Sequence, residues 1–194
     1  MRAEGKYRKA LQFIKKGVRD PGDKECLQLL SSAALEGHAK ANYALATWFL
    51  HGTGVKKNHR KAVELLKRAA ISGVSEAKYD LAVCYETGSG VAKSLETAFD
   101  YYLQAARAGD KEGRMEVARC YYYGIGTDTN RREAIKWYKL VARQDNPEAQ
   151  YVVGRAHELG EGVLKNNRLA RYWYTRAAID GNEMARRALA DLNR

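Results

Sequence analysis

A Gly-x-Gly pair returns four times at one interval, as Gly52/Gly54, Gly88/Gly90, Gly124/Gly126 and Gly160/Gly162, each copy 36 residues after the last. Other columns keep the same step. Ala62 returns as Ala98, Ala134 and Ala170, and Ala70 as Ala106, Ala142 and Ala178. Self-similarity at one fixed period of this length is the signature of a stacked array, in which each unit buries its apolar face only against its neighbours. The period therefore constrains the fold more tightly than the length of 194 residues does.

Within one copy the pattern resolves into two helices. Over 39–51, Ala41, Leu45 and Trp48 fall on one stripe at helical spacing, with Ala46 and Phe49 beside them. Gly52 is placed to end this helix A in the left-handed conformation. Asn58, Ser94, Asn130 and Asn166 share a column just before the second apolar stripe, and all are residues whose side chains cap a helix N-terminus. Helix B then carries Ala62, Leu65, Leu66 and Ala69-Ala70 and ends at Gly73. In the later copies Leu65-Leu66 becomes Tyr101-Tyr102, Trp137-Tyr138 and Trp173-Tyr174. Ala46, Ala82, Ala118 and Gly154 on helix A, opposite Ala62 and its copies, let the two helices approach closely. Large aromatics fill the space around them, and Phe49, Tyr85, Trp137 and Trp173 are read as packing residues.

The ends of the array differ from its middle, as array ends should. Residues 1–38 form a degenerate first repeat, in register through Tyr7, Ala10, Phe13, Ala33-Ala34 and Gly37; Lys16 and Val18 stand where the Gly pair would be, and Pro21-Gly22 is expected to make the turn. Repeats follow at 39–74, 75–110, 111–146 and 147–182, and 183–194 matches helix A alone, a capping helix with Ala185 and Leu189 inward and Arg186, Arg187, Asp191 and Arg194 facing water. Asp145 replaces the closing Gly of the fourth repeat, and Pro147 opens the next helix at a tolerated first-turn position. The expected fold is an all-α solenoid over 1–194: about five helix pairs plus a cap, some eleven helices.

Apolar residues make up 45% and charged residues 29%, a globular composition with no apolar run long enough to span a membrane. The opening Met-Arg-Ala-Glu-Gly-Lys lacks the apolar stretch of a secretory signal, so a cytosolic chain is expected. Cys26, Cys84 and Cys120 are odd in number, and Cys84 and Cys120 fill one packing column; three reduced structural thiols follow. Net charge is +11, with residues 39–74 holding seven basic residues against one acidic. Such a balance favours acidic partners or nucleic acid, or is simply a solvated outer face.

Catalytic patterns are missing. His157-Glu158-Leu-Gly-Glu161 lacks the second histidine of a zinc-protease helix, and His157 stands in the column of Phe49, Tyr85 and Tyr121, where a packed histidine belongs. The Gly-x-Gly loops follow helices rather than strands and run on to neither a third Gly nor Gly-Lys-Ser/Thr, so they are not phosphate loops. No enzyme activity, metal or cofactor is expected.

Read together, Ala149-Gln-Tyr151-Val-Val-Gly154, Gly160-Glu-Gly162-Val163 and Ala170-Arg-Tyr-Trp173-Tyr174-Thr-Arg-Ala177-Ala178-Ile-Asp-Gly181 resemble the Sel-1-like repeat (SLR), a branch of the tetratricopeptide-like helical repeats. The fourth repeat departs from that pattern with Gly126-Thr127 and with Val141 for the first Ala of its pair. The resemblance implies a right-handed α/α superhelix whose A helices line a concave groove. It implies adaptor or scaffold work: a bacterial regulator, or an immunity protein that neutralises a toxin. Disulfide-rich relatives pair a Cys in each helix of a repeat, and no helix B of repeats two to five carries one here.

By analogy with tetratricopeptide grooves, four columns face inward: Lys40/Glu76/Glu112/Glu148, Tyr43/Tyr79/Met115/Tyr151, Thr47/Val83/Arg119/Arg155 and Leu50/Glu86/Tyr122/Glu158, with His51/Thr87/Tyr123/Leu159 at the edge. A face that varies on a fixed scaffold is what a recognition surface looks like. Arg119, Tyr122, Tyr123 and Arg155 are of the types that dominate interface hot spots. With Tyr43, Tyr79, Glu86, Tyr151 and Glu158 they form the candidate partner-binding set. Two readings compete: a protein- or peptide-binding scaffold acting as a monomer, and a nucleic-acid-binding repeat using the basic surface. Glu76, Glu86, Glu112, Glu148 and Glu158 in the inward columns would repel phosphate, which favours the scaffold.

Overall fold

In the computed structural model, residues 1–15 and 24–192 are described; the expected turn at Pro21-Gly22, the Lys16 and Val18 positions and Arg194 lie outside them. Among the described residues there are eleven α-helices and no strand. The degenerate first repeat supplies α1 (Ala3–Lys15) and α2 (Lys24–Leu35). Four helix pairs follow: α3 (Ala39–His51) with α4 (His59–Ile71), α5 (Ser75–Thr87) with α6 (Leu95–Arg107), α7 (Lys111–Tyr123) with α8 (Arg131–Ala142), and α9 (Pro147–Leu159) with α10 (Asn167–Ile179). The last helix is α11 (Glu183–Asp191). The chain divides into two compact units, Met1–Gln104 and Ala105–Arg194, whose boundary falls inside α6.

The repeated residues form these elements for local reasons. Gly52, Gly88, Gly124 and Gly160 end their helices with φ between 72° and 78°, each donating its N–H to the carbonyl four residues back. That conformation costs a side chain energy that glycine does not incur. The loop is then tied shut, because the N–H groups of Asn58, Ser94, Asn130 and Asn166 donate to the carbonyls of Phe49, Tyr85, Tyr121 and His157 at 2.7–2.9 Å. The same four residues cap the next helix, their side-chain oxygens accepting from the N–H groups of Lys61, Thr97, Glu133 and Leu169 at 3.0–3.2 Å. In two of the pairs the second glycine has a different task. A Cβ on Gly90 would lie 2.4 Å from the carbonyl oxygen of His59, and one on Gly162 would lie 2.5 Å from that of Arg131. There each loop rests on the first turn of the preceding repeat's second helix.

A donor column joins successive repeats. Asn42, Arg114, Gln150 and Arg186 each reach back eight residues, donating to the carbonyls of Ala34, Ala106, Ala142 and Ala178 at 3.2–3.5 Å. Those carbonyls belong to the last turn of the preceding helix, and those of Ala34, Ala106 and Ala178 also accept the N–H of Gly37, Gly109 and Gly181. Asp145 takes the left-handed conformation that closes the fourth repeat, with φ 60°, as Gly37, Gly73, Gly109 and Gly181 do elsewhere. Aspartate tolerates it better than most residues.

In unit 1 the core gathers Ala41, Leu45, Ala46, Leu66, Ala69 and Leu81, all at most 5% exposed. In unit 2 it gathers Ala118, Ala134, Ile135, Val153 and Ala156, and Ala185 of α11 packs with Ala170, Tyr174 and Ala177. The small-residue columns sit where expected: Ala46, Ala82, Ala118, Ala62, Ala98, Ala134 and Ala170 are all buried. At Gly154 the approach is closest, since a Cβ there would lie 2.7 Å from the Tyr174 ring. Cys26, Cys84 and Cys120 are free and buried, and burial pushes the Cys84 thiol up to about 11.

Candidate partner-binding site

The first helix of each pair carries the variable columns. In unit 1, Tyr43 on α3 and Tyr79 and Glu86 on α5 are all half-buried. Tyr79 packs on Tyr102 of α6 with ring centroids 5.6 Å apart, and the Tyr102 hydroxyl donates to Glu86 Oε2 at 2.6 Å. The same motif recurs in unit 2. There Tyr151 packs on Tyr174 at 5.7 Å, and the Tyr174 hydroxyl donates to Glu158 Oε2 at 2.5 Å. Burial, and then the bond to Glu158, raise the Tyr174 hydroxyl well above the ordinary tyrosine range. Glu86 and Glu158 are thus held in place from below while remaining partly open to solvent.

The fourth repeat departs from this motif, and with it one of the expectations. Tyr122 occupies the column of Glu86 and Glu158, edge-on to Tyr138 with centroids 6.4 Å apart. Its hydroxyl donates to Glu161 at 2.6 Å, and the Arg131 guanidinium lies 3.5 Å above the centre of its ring. Covered from one side and tied at its tip, Tyr122 is 9% exposed. It is a strut rather than the open anchor the sequence suggests. Its neighbour Tyr123 is 65% exposed and stands edge-on against it, with centroids 4.9 Å apart. Arg119 is partly exposed and donates to Glu116 at 2.5 Å. Arg155 is exposed, and its charge counteracts the upward shifts of Tyr122 and Tyr174.

Unit 2 therefore brings Arg119 and Tyr123 of α7 together with Tyr151, Arg155 and Glu158 of α9 around the buried pair Tyr122 and Tyr174. Glu161 and Arg131, which hold Tyr122, were not foreseen. The hydroxyl–carboxylate ties had a signal in the sequence: residues sixteen apart change together, as Leu50/Leu66, Glu86/Tyr102, Tyr122/Tyr138 and Glu158/Tyr174.

His157 lies in the packing column at 5% exposure, with Nδ1 3.3 Å from the Leu164 carbonyl, and desolvation and the Lys139 charge lower its pKa. Among the described residues no group of three or more His, Cys, Asp or Glu is arranged to hold a metal ion. No described helix is long and apolar enough to cross a membrane.

The family model described as Sel1 repeat matches residues 39–74, 75–110, 112–146 and 147–182. Among solved structures, a protective antigen of uropathogenic Escherichia coli strains, displaying an SLR fold, is similar at TM-score 0.89 and 26% identity, over 98% of this chain. This chain spans 41% of that protein's length. A Sel1 repeat protein from Oxalobacter formigenes is similar at TM-score 0.86 and 26% identity, over 95% of this chain and 74% of the other. An immunity protein from Pseudomonas aeruginosa is similar at TM-score 0.51 and 26% identity, over 95% of this chain and 67% of its own. No curated protein matches this chain in sequence.

Proposed function

This chain belongs to the Sel1 repeat family, and from that premise we propose that it is a non-catalytic scaffold whose variable first-helix columns bind a protein or peptide partner. One observation carries the reading. In unit 2, exposed Tyr123 and Arg155 stand around the buried Tyr122 and Tyr174, whose hydroxyls are tied to the half-buried Glu161 and Glu158. Side chains held in place by a rigid layer beneath lose little entropy on binding, and Tyr and Arg are the residue types that most often dominate interface energetics. The family works generally through protein–protein contact. Glu76, Glu112 and Glu148, all exposed near the starts of α5, α7 and α9, support a protein partner over a phosphate backbone. Within this reading, the likeness to the Pseudomonas immunity protein supports an immunity role over a regulatory one. Three buried free thiols fit a reducing compartment, so we place that role in the cytoplasm.

The test is affinity capture from native lysate with and without nuclease, repeated with Tyr123→Ala and Arg155→Ala. The partner should survive nuclease, and each variant should weaken it by about 2 kcal/mol, roughly thirtyfold, if these are hot spots. Disappearance of every captured species on nuclease treatment, with both variants binding as wild type, would sink the reading.

A further inference from the structure

The donor column has one exception. Asn42, Arg114, Gln150 and Arg186 each bond a carbonyl of the preceding helix, whereas Lys78, the fifth member, makes no such bond among the described residues. At that seam, between α4, α5 and α6 of unit 1, lies a cleft of about 520 Å³ lined by Lys67, Ile71, Lys78, Tyr85, Tyr101 and Gln104. Tyr85 and Tyr101 stack nearly parallel, 13° apart with centroids at 5.6 Å, and the Lys67 ammonium stands 5.9 Å from the Tyr85 ring centre. Ile71 is 87% exposed at the rim.

Unit 2 contains the same positions seventy-two residues on, and there most of them are more covered. Gln150, fully buried, bonds the Ala142 carbonyl, His157 and Trp173 are buried too, and Arg176 pairs with Asp145. The two copies thus differ at particular residues, above all at Lys78, where Gln150 stands in the other copy. The cleft in unit 1 presents two ammonium groups with no ion-pair partner among the described residues, an aromatic wall and an exposed apolar edge. Its α4 wall belongs to the most basic repeat, with Arg60, Lys61 and Arg68 on the same helix, whereas its α5 and α6 walls belong to residues 75–110, which hold three basic residues against six acidic.

We propose that this cleft takes an acidic segment of a protein partner, its carboxylate held between Lys67 and Lys78 and an adjacent apolar side chain laid on Tyr101 and Ile71. The proposal rests on the protein-binding reading above and adds a second contact surface to it. An ammonium–carboxylate pair supplies the charge complementarity, and the exposed isoleucine supplies apolar area that a phosphate backbone would not use.

The experiment pans the folded full chain against a displayed library of random peptides and measures the enriched sequences on three variants. Enrichment of peptides with Asp or Glu beside an apolar residue is expected. Their affinity should fall about tenfold on Lys67→Ala and on Lys78→Gln, the loss of one charge-assisted hydrogen bond. Lys78→Gln should keep or raise the melting temperature, because glutamine there can make the bond that Gln150 makes, so lost binding cannot be ascribed to unfolding. Absence of acidic sequences, or acidic peptides that bind both lysine variants as tightly as wild type, overturns the proposal. Peptides lost only on Arg155→Ala overturn the cleft while leaving the scaffold reading intact. A thymidine oligonucleotide that outcompetes the peptides with the same lysine dependence overturns both.

Discussion

Replacing Gly90 by alanine tests why its loop carries two glycines rather than one. At Gly90 the added Cβ would lie 2.4 Å and 2.5 Å from the carbonyl oxygen and carbon of His59, and 2.9 Å from the Arg60 nitrogen. These are backbone atoms in the first turn of α4, so no rotamer change relieves the collision; loop and helix must separate. Overpacking of this kind costs about 1–3 kcal/mol. The φ of 76° adds about 1–2 kcal/mol for any residue with a Cβ. Gly90→Ala should therefore cost about 2–5 kcal/mol. Gly88 has the same φ of 76°, but its nearest neighbour would be Lys93 Cβ at 3.4 Å, an ordinary contact. Gly88→Ala should cost only the conformational part, about 1–2 kcal/mol.

The assay is guanidinium denaturation followed by circular dichroism at the helix band, with the slope against denaturant checked for constancy across the set. Gly162→Ala should behave like Gly90→Ala, because its Cβ would meet the Arg131 carbonyl at 2.5 Å. Equal losses for Gly88→Ala and Gly90→Ala would refute the argument. The second glycine would then be needed for its backbone conformation alone and not for the contact between repeats.

Other parts of the structure are open to simpler measurements. Burial pushes Tyr138 up to about 12 and Tyr174 higher still, so the native state holds these protons more tightly than the unfolded chain. Stability from them is complete below the unfolded value of 10.0 and lost as pH rises toward the folded values; phenolate absorbance should show late-titrating tyrosines, and full ionisation near pH 10 with the helix intact would contradict this. His157 is shifted the other way, below 6.5, so folding should weaken as pH falls through that value while the unfolded chain gains a proton the native site resists. His157→Phe, restoring the residue type of Phe49, should flatten the acid limb of a melting-temperature profile; an unchanged profile would show that His157 is not its source. The three cysteines should resist a thiol reagent in the native state and all react in denaturant without reductant, and a count below three would mean a disulfide.

The fold was legible because its determinants are repeated. A lone asparagine before an apolar stripe is weak testimony, but Asn58, Ser94, Asn130 and Asn166 at one interval mark four caps, and all four form. The glycine pairs and alanine columns were legible on the same ground. The donor column also recurs, with a nitrogen donor at every member from Asn42 to Arg186, yet the residue types differ and the carbonyl partners are visible only in space. The candidate site was legible as a region and less so residue by residue. Tyr122 is held by Arg131 and by Glu161, thirty-nine residues away, and the other copies carry no Tyr, Arg or Glu at the three matching positions except for Glu86 and Glu158 in the Tyr122 column itself. A contact made once leaves no periodic trace, so an aromatic on a variable face could not be told from a covered strut.

The central claim, that the variable face of the first helices receives a protein partner, is tested most directly by hydrogen exchange of the chain with and without the captured partner. The measurement reports backbone protection locally and requires no substitution. Binding at this face should slow exchange in peptides covering 115–123 and 151–159, the segments carrying Arg119, Tyr123, Tyr151, Arg155 and Glu158. A stable complex that leaves both segments exchanging as in the free chain would contradict the account.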